Sequence, residues 1–183
     1  MDKVVVDQKI DIPNMLLISG NGRNVGKTTL ACQIITHLSK QDSVSAIKIS
    51  SHFHPYDENN LILFGTGYVV LKEQNQSTKD SSRMLQAGAQ TVFFIMAQQQ
   101  QLTEVFERLA DYLPKHPIVC ESGGLSDVAD TGAFLFVNLK DREIEKDHLL
   151  KLNPTRVEND GKNFNLDLNR IVFANQRILI NNE

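Results

Sequence analysis

A glycine-rich stretch, GNGRNVGKTT at residues 20–29, restricts the fold of this chain more than any other segment. The apolar run MLLIS at residues 15–19 precedes it and predicts a buried strand. Residues 29–40 follow it with apolar side chains at helical spacing, which predicts an amphipathic helix. A loop that joins a strand to a helix turns several backbone N–H groups toward one point at the positive end of the helix dipole. The stretch therefore predicts an anion site in an α/β fold.

The stretch departs at one position from the phosphate-binding spacing G-x-x-x-x-G-K-[ST]. Counted back from the Gly-Lys-Thr at residues 26–28, the position of the first glycine holds Asn21. Gly20 and Gly22 flank this asparagine and supply the backbone freedom that close approach to phosphate oxygens requires. Because phosphate binding needs glycines near the turn rather than at one register, the stretch still predicts a phosphate loop. The alternative is a glycine-rich turn with an incidental Lys-Thr pair.

Two side chains of the loop carry predicted roles toward a nucleotide. Lys27 is expected to reach the β- and γ-phosphates, and the Thr28 hydroxyl to complete a Mg²⁺ shell made mainly of water and phosphate oxygens. Magnesium also favours an acid at the end of a neighbouring strand, and Glu121 directly follows the apolar run PIVC. Lys27 and Glu121 are therefore the predicted catalytic residues, and Thr28 and Glu121 the predicted metal contacts. The predicted nucleotide-binding positions of the loop are Gly22, Asn24, Val25, Gly26, Lys27, Thr28 and Thr29.

Short apolar strands alternate with helices along the rest of the chain. The predicted strands are at 43–50, 91–96, 117–120 and 133–138, and the predicted helices are at 79–89 and 102–113. This order predicts an α/β fold similar to P-loop NTPases, with a mostly parallel sheet and helices on both faces. A length of 183 residues suits one domain, so residues 1–183 are predicted to form a single nucleotide-binding domain.

Two regions depart from the alternation. Residues 55–78 hold a proline and two glycines around GYVVL, which predicts an inserted loop or small hairpin over the carboxyl edge of the sheet. Residues 151–183 alternate apolar and polar side chains and predict an appended β segment of edge strands or a hairpin. These strands are expected to pair with residues 4–12 or with a second subunit.

Composition excludes several classes of partner. The net charge of −3 gives no general attraction to nucleic acid or to an anionic membrane. Residues 1–13 carry acids among their apolar residues, so they predict neither a signal peptide nor a spanning helix, and the expected location is cytoplasmic. Cys32 and Cys120 lie in apolar segments and are predicted to be small core residues rather than a disulfide or metal pair.

Four segments in order resemble the molybdopterin-guanine dinucleotide biosynthesis protein B family, over residues 14–125. They are GNGRNVGKTT, AIKISSHFHPYD, KDSSRMLQAGA and IVCESGGL. The run K-D-S-x-R-x-x-x-A-G-A is the most specific of these, because it follows a strand that contains a lysine. The segment between residues 54 and 79 is much longer here than in that family.

The resemblance implies a P-loop GTP-binding protein with weak GTPase activity, which uses GTP (or ATP) and Mg²⁺. Such a protein assists the guanylyltransferase that attaches a guanine nucleotide to molybdopterin, and it works as a homodimer. Asp80 and Arg83 would then belong to the nucleotide-binding residues. Lys48 and His52 would lie near the nucleotide or the face that receives the molybdopterin-type substrate.

A second resemblance leads to an alternative function. GNGRNVGKT has the same glycine and lysine register as the loop of dethiobiotin synthetase, and ESGGL looks like that family's E-G-A-G-G-L. This resemblance implies an ATP-dependent small-molecule kinase or ligase, with a substrate over residues 48–57 and 80–83. A third hypothesis is a switch or scaffold protein that no longer hydrolyses nucleotides.

Several candidate residues keep a structural alternative. His52, His54 and Asp57 could ligate a metal or contact an anionic substrate, or they could belong to a solvated loop. Asp80 and Arg83 lie one turn apart on a predicted helix and could form only a surface ion pair. Glu121 could be a strand-ending acid before a Gly-Gly turn. Asp141, after the strand at 133–138, could accept hydrogen bonds from guanine or simply mark a strand exit.

Overall fold

The structure is a computed structural model that describes residues 9–181. These residues form an eight-stranded sheet, a separate two-stranded hairpin and four α-helices. The strands are β1 (Ile10–Gly20), β2 (Ser45–Ser50), β3 (Leu61–Gly65), β4 (Tyr68–Lys72), β5 (Thr91–Ala97), β6 (Ile118–Glu121), β7 (Ala129–Leu139), β8 (Thr155–Asn159), β9 (Ile171–Ala174) and β10 (Arg177–Ile180). The helices are α1 (Lys27–Leu38), α2 (Asp80–Gln86), α3 (Leu102–Leu109) and α4 (Asp147–Leu150).

The large sheet has the strand order β3-β4-β5-β2-β6-β1-β7-β8. Six strands are parallel to one another, which in sheet order are β5, β2, β6, β1, β7 and β8. The hairpin strands β3 and β4 pair antiparallel, β3 with β4 and β4 with β5. In β1, every residue from Asn14 to Gly20 is buried, as expected for a strand covered on both faces. The predicted α/β class with a mostly parallel sheet is therefore confirmed.

Helices cover both faces of this sheet, as the alternation predicts. One face packs Leu16, Ile18 and Ala46 against α1 and against Met84 of α2. The other face packs Met15 and other strand residues against the apolar side of α3, whose buried residues are Leu102, Val105, Phe106 and Leu109. None of the helices within residues 9–181 has the length and apolar character needed to cross a membrane.

The two cysteines differ in their burial. Cys120 of β6 is fully buried, as predicted for a core residue, and burial raises the pKa of its thiol. Cys32 of α1 is only partly buried and packs at the border of the core. Both are free thiols.

The insertion at residues 55–78 is a hairpin, but its predicted position over the carboxyl edge is wrong. Its strands β3 and β4 extend the sheet sideways, because β4 pairs antiparallel with β5. The reason lies in the run from Tyr68 to Leu71, whose four residues are all buried. Such a run needs cover on both faces, which a place inside the sheet gives and a surface loop does not.

The C-terminal β segment divides into two parts. β8 joins the edge of the large sheet parallel to β7, while β9 and β10 form the separate hairpin, which buries Ile171 and Ile178 on the α1 side. The predicted pairing of this segment with the N-terminal residues is wrong for residues 10–12, which pair with β7 instead. Residues 4–8 of that prediction lie outside the described residues. Pairing with β7 gives residues 10–12 a place inside the large sheet.

Because β1, β2, β5 and β6 are parallel, their carboxyl ends meet at one edge of the sheet. The loop after β1 and the acid that ends β6 therefore come together, although about 95 residues of chain separate them. In open α/β sheets this edge is where ligands bind.

Candidate functional site

The loop between β1 and α1 has the backbone shape that its glycines predict. Gly22 has a φ of 96° and Gly26 a φ of 99°, in the left-handed region that side chains with a Cβ rarely adopt. A Cβ added at Gly26 would lie 2.5 Å from Asn159 Nδ2, so this position also lacks space. Asn24 has a φ of 60°, which asparagine tolerates better than most residues.

The first turn of α1 faces the same space. Gly26 is the N-cap, and no side chain caps the helix. The N–H groups of the first helical turn have no acceptor within the helix itself. The loop therefore presents unpaired donors at the positive end of the α1 dipole.

Asn21, at the position where the phosphate-binding pattern has a glycine, is fully buried. Its Nδ2 donates to Asn138 Oδ1 at 2.9 Å and to the carbonyl oxygen of Glu143 at 2.7 Å. Its Oδ1 accepts from the backbone N–H of Glu145 at 2.8 Å and of Lys146 at 3.3 Å. These four bonds use the full hydrogen-bonding capacity of the amide. Asn21 thereby ties the glycine loop to the loop after β7.

Four charged or polar side chains meet beneath the glycine loop. The Thr28 hydroxyl donates to Glu121 Oε2 at 2.7 Å. Lys48 of β2 lies beside Glu121 in the sheet register, and its Nζ is 2.5 Å from Glu121 Oε1. The same Nζ is 2.9 Å from Asp80 Oδ2 at the start of α2. Glu121 is 3% exposed, so this is a buried carboxylate with two strong partners.

Two further contacts complete the surroundings of the loop. Lys27 Nζ donates to the carbonyl oxygen of Gly22 at 2.5 Å, so it lies inside the curve of the loop. Arg83 lies 3.7 Å from Asp80 Oδ1, and its Nη2 donates to Thr29 Oγ1 at 3.2 Å. The predicted site residues on the loop, on α2 and at the end of β6 are therefore neighbours in space.

The environment shifts the pKa values of three of these groups. Burial holds the pKa of Lys27 below its usual value. Burial acts on Lys48 in the same direction, but the charge of Glu121 and the hydrogen bonds to Glu121 and Asp80 outweigh it, so the pKa of Lys48 is raised. Partial burial acts to raise the pKa of Asp80, but the hydrogen bond to Lys48 and its charge outweigh this effect, so that pKa is lowered. Lys48 and Asp80 thus hold each other in the charged state.

These groups line a cavity of about 1160 Å³ at the carboxyl edge of the sheet, here called the glycine-loop cavity. Its basic lining residues are Arg23, Lys27, Lys48, Arg83 and Lys146, and its acidic ones are Asp80, Glu121 and Asp127. The basic residues outnumber the acidic ones by two, 5 against 3, although the whole chain carries a net charge of −3. The local balance therefore favours an anionic ligand.

Two basic residues of this cavity have no predicted role in the sequence. Arg23 belongs to the glycine loop itself, and its Nη2 lies 2.9 Å from His52 Nε2. Its position as a basic residue within the loop is a sequence signal that could have identified it. Lys146 comes from the loop after β7 that Asn21 holds. No local pattern around Lys146 indicates this placement, because it depends on contacts across about 125 residues of chain.

Other predicted residues do not form the sites considered for them. Within residues 9–181, no group of three or more His, Cys, Asp or Glu side chains is placed to hold a metal ion, so His52, His54 and Asp57 do not form a metal centre. The two histidines do line the glycine-loop cavity. Asp141 is exposed, with a φ of 63°, and it is not among the described residues that line this cavity.

Comparison of the chain with protein-family models, with curated proteins and with solved structures finds no match. The resemblances seen in the sequence motifs therefore stay predictions.

Proposed function

We propose that this chain is a P-loop NTPase-like protein that binds a nucleoside triphosphate together with Mg²⁺ in the glycine-loop cavity. The observation that carries the proposal is the hydrogen bond of 2.7 Å between Thr28 and Glu121, next to the uncapped start of α1. It joins a loop hydroxyl to an acid 93 residues away, at the end of a neighbouring strand. This is the pairing that Mg²⁺-nucleotide binding requires of such a loop.

The residues present fit a polyphosphate. Free N–H groups at the start of α1, two glycines with positive φ and a lysine inside the loop supply donors and space for phosphate oxygens. Lys27 is partly buried and has a lowered pKa, and it gains a counter-charge when phosphate replaces the carbonyl contact to Gly22. The excess of basic residues in the lining adds to this attraction.

The residues also fit a magnesium ion. Mg²⁺ prefers hard oxygen ligands and keeps several waters, and Thr28 and Glu121 supply a hydroxyl and a carboxylate. When bound, the ion would neutralise charge on the phosphate oxygens. Lys48 contacts the other oxygen of the Glu121 carboxylate and fixes its orientation. Thr28 and Glu121 are thus the residues that would hold the ion.

Hydrolysis by this site is expected to be slow. Asp80 is the acid nearest to Lys48 apart from Glu121, and its lowered pKa makes it a weak base toward an attacking water. Phosphoryl transfer depends mainly on positioning and on charge stabilisation, which Lys27 and Arg83 can provide. A weak GTPase is consistent with this arrangement. The guanylyltransferase partner, the molybdopterin-type substrate and the homodimer implied by the resemblance stay predictions.

The test is the substitution Lys27→Ala, with Lys40→Ala as the matched control. Lys40 is an exposed lysine just beyond the end of α1, outside the cavity. When GTP or ATP with Mg²⁺ is present at 100 times its dissociation constant, the unfolding free energy of the natural chain should rise by about 2.7 kcal/mol. Calorimetry should show binding weakened tenfold or more in Lys27→Ala, since a charge-assisted hydrogen bond contributes about 1.5–3 kcal/mol.

The control Lys40→Ala should bind like the natural chain. Unchanged nucleotide affinity in Lys27→Ala would refute the proposal. A clear preference for GTP would support the accessory role implied by the first resemblance. A clear preference for ATP would support the kinase or ligase reading.

A further inference from the structure

A second cavity, here called the hairpin cavity, opens beside the glycine-loop cavity. It lies between β4, β5, the loop at residues 54–57 and residues 72–81, and has a volume of about 970 Å³, within the range of small-molecule sites. The two cavities share Lys48, Ser50, His54 and Asp80 in their linings. A ligand in the hairpin cavity would therefore lie next to a ligand held by the glycine loop.

The hairpin cavity has an apolar floor. Leu71 of β4 and Phe94 of β5 are cross-strand partners and belong to an apolar cluster formed by β3, β4 and β5 alone. Pro55 and Tyr56 of the neighbouring loop add further apolar surface to the lining. Two aromatic rings among the lining residues suit a flat apolar ligand better than a fully polar one.

The acids of the lining are already engaged within the protein. Glu73 accepts hydrogen bonds from the Ser81 hydroxyl at 2.6 Å and from two backbone N–H groups. Asp57 accepts from the backbone and side chain of Asn59, and Asp80 is paired with Lys48. These carboxylates keep their partners without any help from a ligand.

One lysine at the rim, Lys79, differs from these acids because it has no partner. It precedes α2 and is exposed, and across residues 9–181 its side chain has no hydrogen-bond or ion-pair partner. Lys72 of β4 is also exposed, but it pairs with Phe93 rather than Phe94, so its side chain lies on the face of β4 opposite to the apolar floor. The hairpin cavity therefore combines an apolar floor with unpaired positive charge, which is complementary to an organic acid.

We infer that the hairpin cavity binds an aromatic carboxylic acid as a second ligand, with its ring on Leu71 and Phe94 and its carboxylate at Lys79. As the partner of a bound nucleotide it rests on the proposed function, while binding of the acid alone does not. Lys48 and Asp80, which face both cavities, are the residues through which the two ligands would affect each other.

The probe is 2-naphthoate, with the uncharged 2-naphthamide as its matched control. The chain has no tryptophan, so naphthalene fluorescence can be followed against three tyrosines alone. We expect saturable binding of naphthoate to the nucleotide-free chain, at least tenfold tighter than binding of the amide. The methyl resonances of Leu71 should shift on binding, and those of the exposed Leu179 should not.

The variant is Lys79→Met, compared with Lys115→Met at an exposed lysine outside both cavities. Lys79→Met should bind naphthoate tenfold or more weakly, and the control should bind it normally, with both variants unfolding at the same temperature as the natural chain. Equal affinity for acid and amide, no binding of naphthoate, or unchanged naphthoate affinity in Lys79→Met would overturn the inference. Naphthoate binding that persists when no nucleotide binds would refute the proposed function alone.

Discussion

The two cavities lie side by side and share part of their lining, but their charged residues differ in burial and pairing. In the glycine-loop cavity, Lys48 lies between two carboxylates, and the Lys48 and Glu121 side chains are 16% and 4% exposed. In the hairpin cavity, Lys79 lies at the exposed rim without a side-chain partner among the described residues. Buried paired charges are part of the folded core, whereas exposed single charges are not.

This difference separates stability from binding. A residue of the paired cluster supports the fold whether or not a ligand is present, so its removal should lower the free energy of unfolding. A rim lysine of the hairpin cavity should affect only the ligand. The two cavities therefore predict different results for similar substitutions.

The largest effect should come from Lys48→Met. Removal of this ammonium leaves the buried Glu121 carboxylate with the Thr28 hydroxyl as its remaining partner, and loss of one partner of a buried pair costs about 3–5 kcal/mol. Lys79→Met makes the same chemical change at the rim and should alter the unfolding free energy by no more than about 0.5 kcal/mol. Urea unfolding of both variants measures the difference. Equal losses of unfolding free energy in the two variants would contradict the proposed difference between the two cavities.

A smaller effect is expected from Asn21→Gly, although this change restores the full phosphate-loop pattern. It removes four hydrogen bonds and leaves buried groups of the loop after β7 without partners, so the unfolding free energy should fall by about 1–3 kcal/mol. Asn75→Gly at the exposed side of the hairpin cavity should cost about 1 kcal/mol or less.

Proteolysis should also show the loss in Asn21→Gly, because residues 140–146 are then less firmly held. A variant that is as stable as the natural chain would show that the tether at Asn21 does not hold this loop.

The smallest expected effect is on the stability of the chain at low pH. The pKa of Asp80 in the folded chain lies below its usual value of 3.8, so its contribution to stability is complete above that pH and is lost as the pH falls through the folded value. Stability of the natural chain should therefore fall more steeply below about pH 4 than that of Asp80→Asn. Urea midpoints from about pH 5 to about pH 3 measure the slopes. Parallel slopes would show that the contact with Lys48 does not lower the pKa of Asp80.

Local patterns predict much of this fold. Short apolar runs identify β1, β2, β5, β6 and β7, and the 3.6-residue spacing of Leu102, Val105, Phe106 and Leu109 identifies α3. The insertion is different, because burial of residues 68–71 on both faces depends on which strand lies beside them. The apolar run is visible in the sequence, but its pairing with β5 is not.

The candidate site is also only partly predictable from the sequence. Lys27, Thr28 and Glu121 follow from a loop pattern and from the rule that parallel strands end at one edge, and the structure places all three together. Lys146 is not predictable from its own surroundings, since Asn21 sets its position through long-range hydrogen bonds. The hairpin cavity likewise depends on the pairing of β4 with β5.

The tether at Asn21 also has a consequence during protein synthesis. Its partners are residues 138–146, more than 115 positions later in the chain. A nascent chain still short of residue 146 has the whole glycine loop but lacks the contacts that shape it. If the proposed nucleotide site is correct, a ribosome-bound chain is expected to acquire affinity for phosphate late, after β7 and the following loop have emerged.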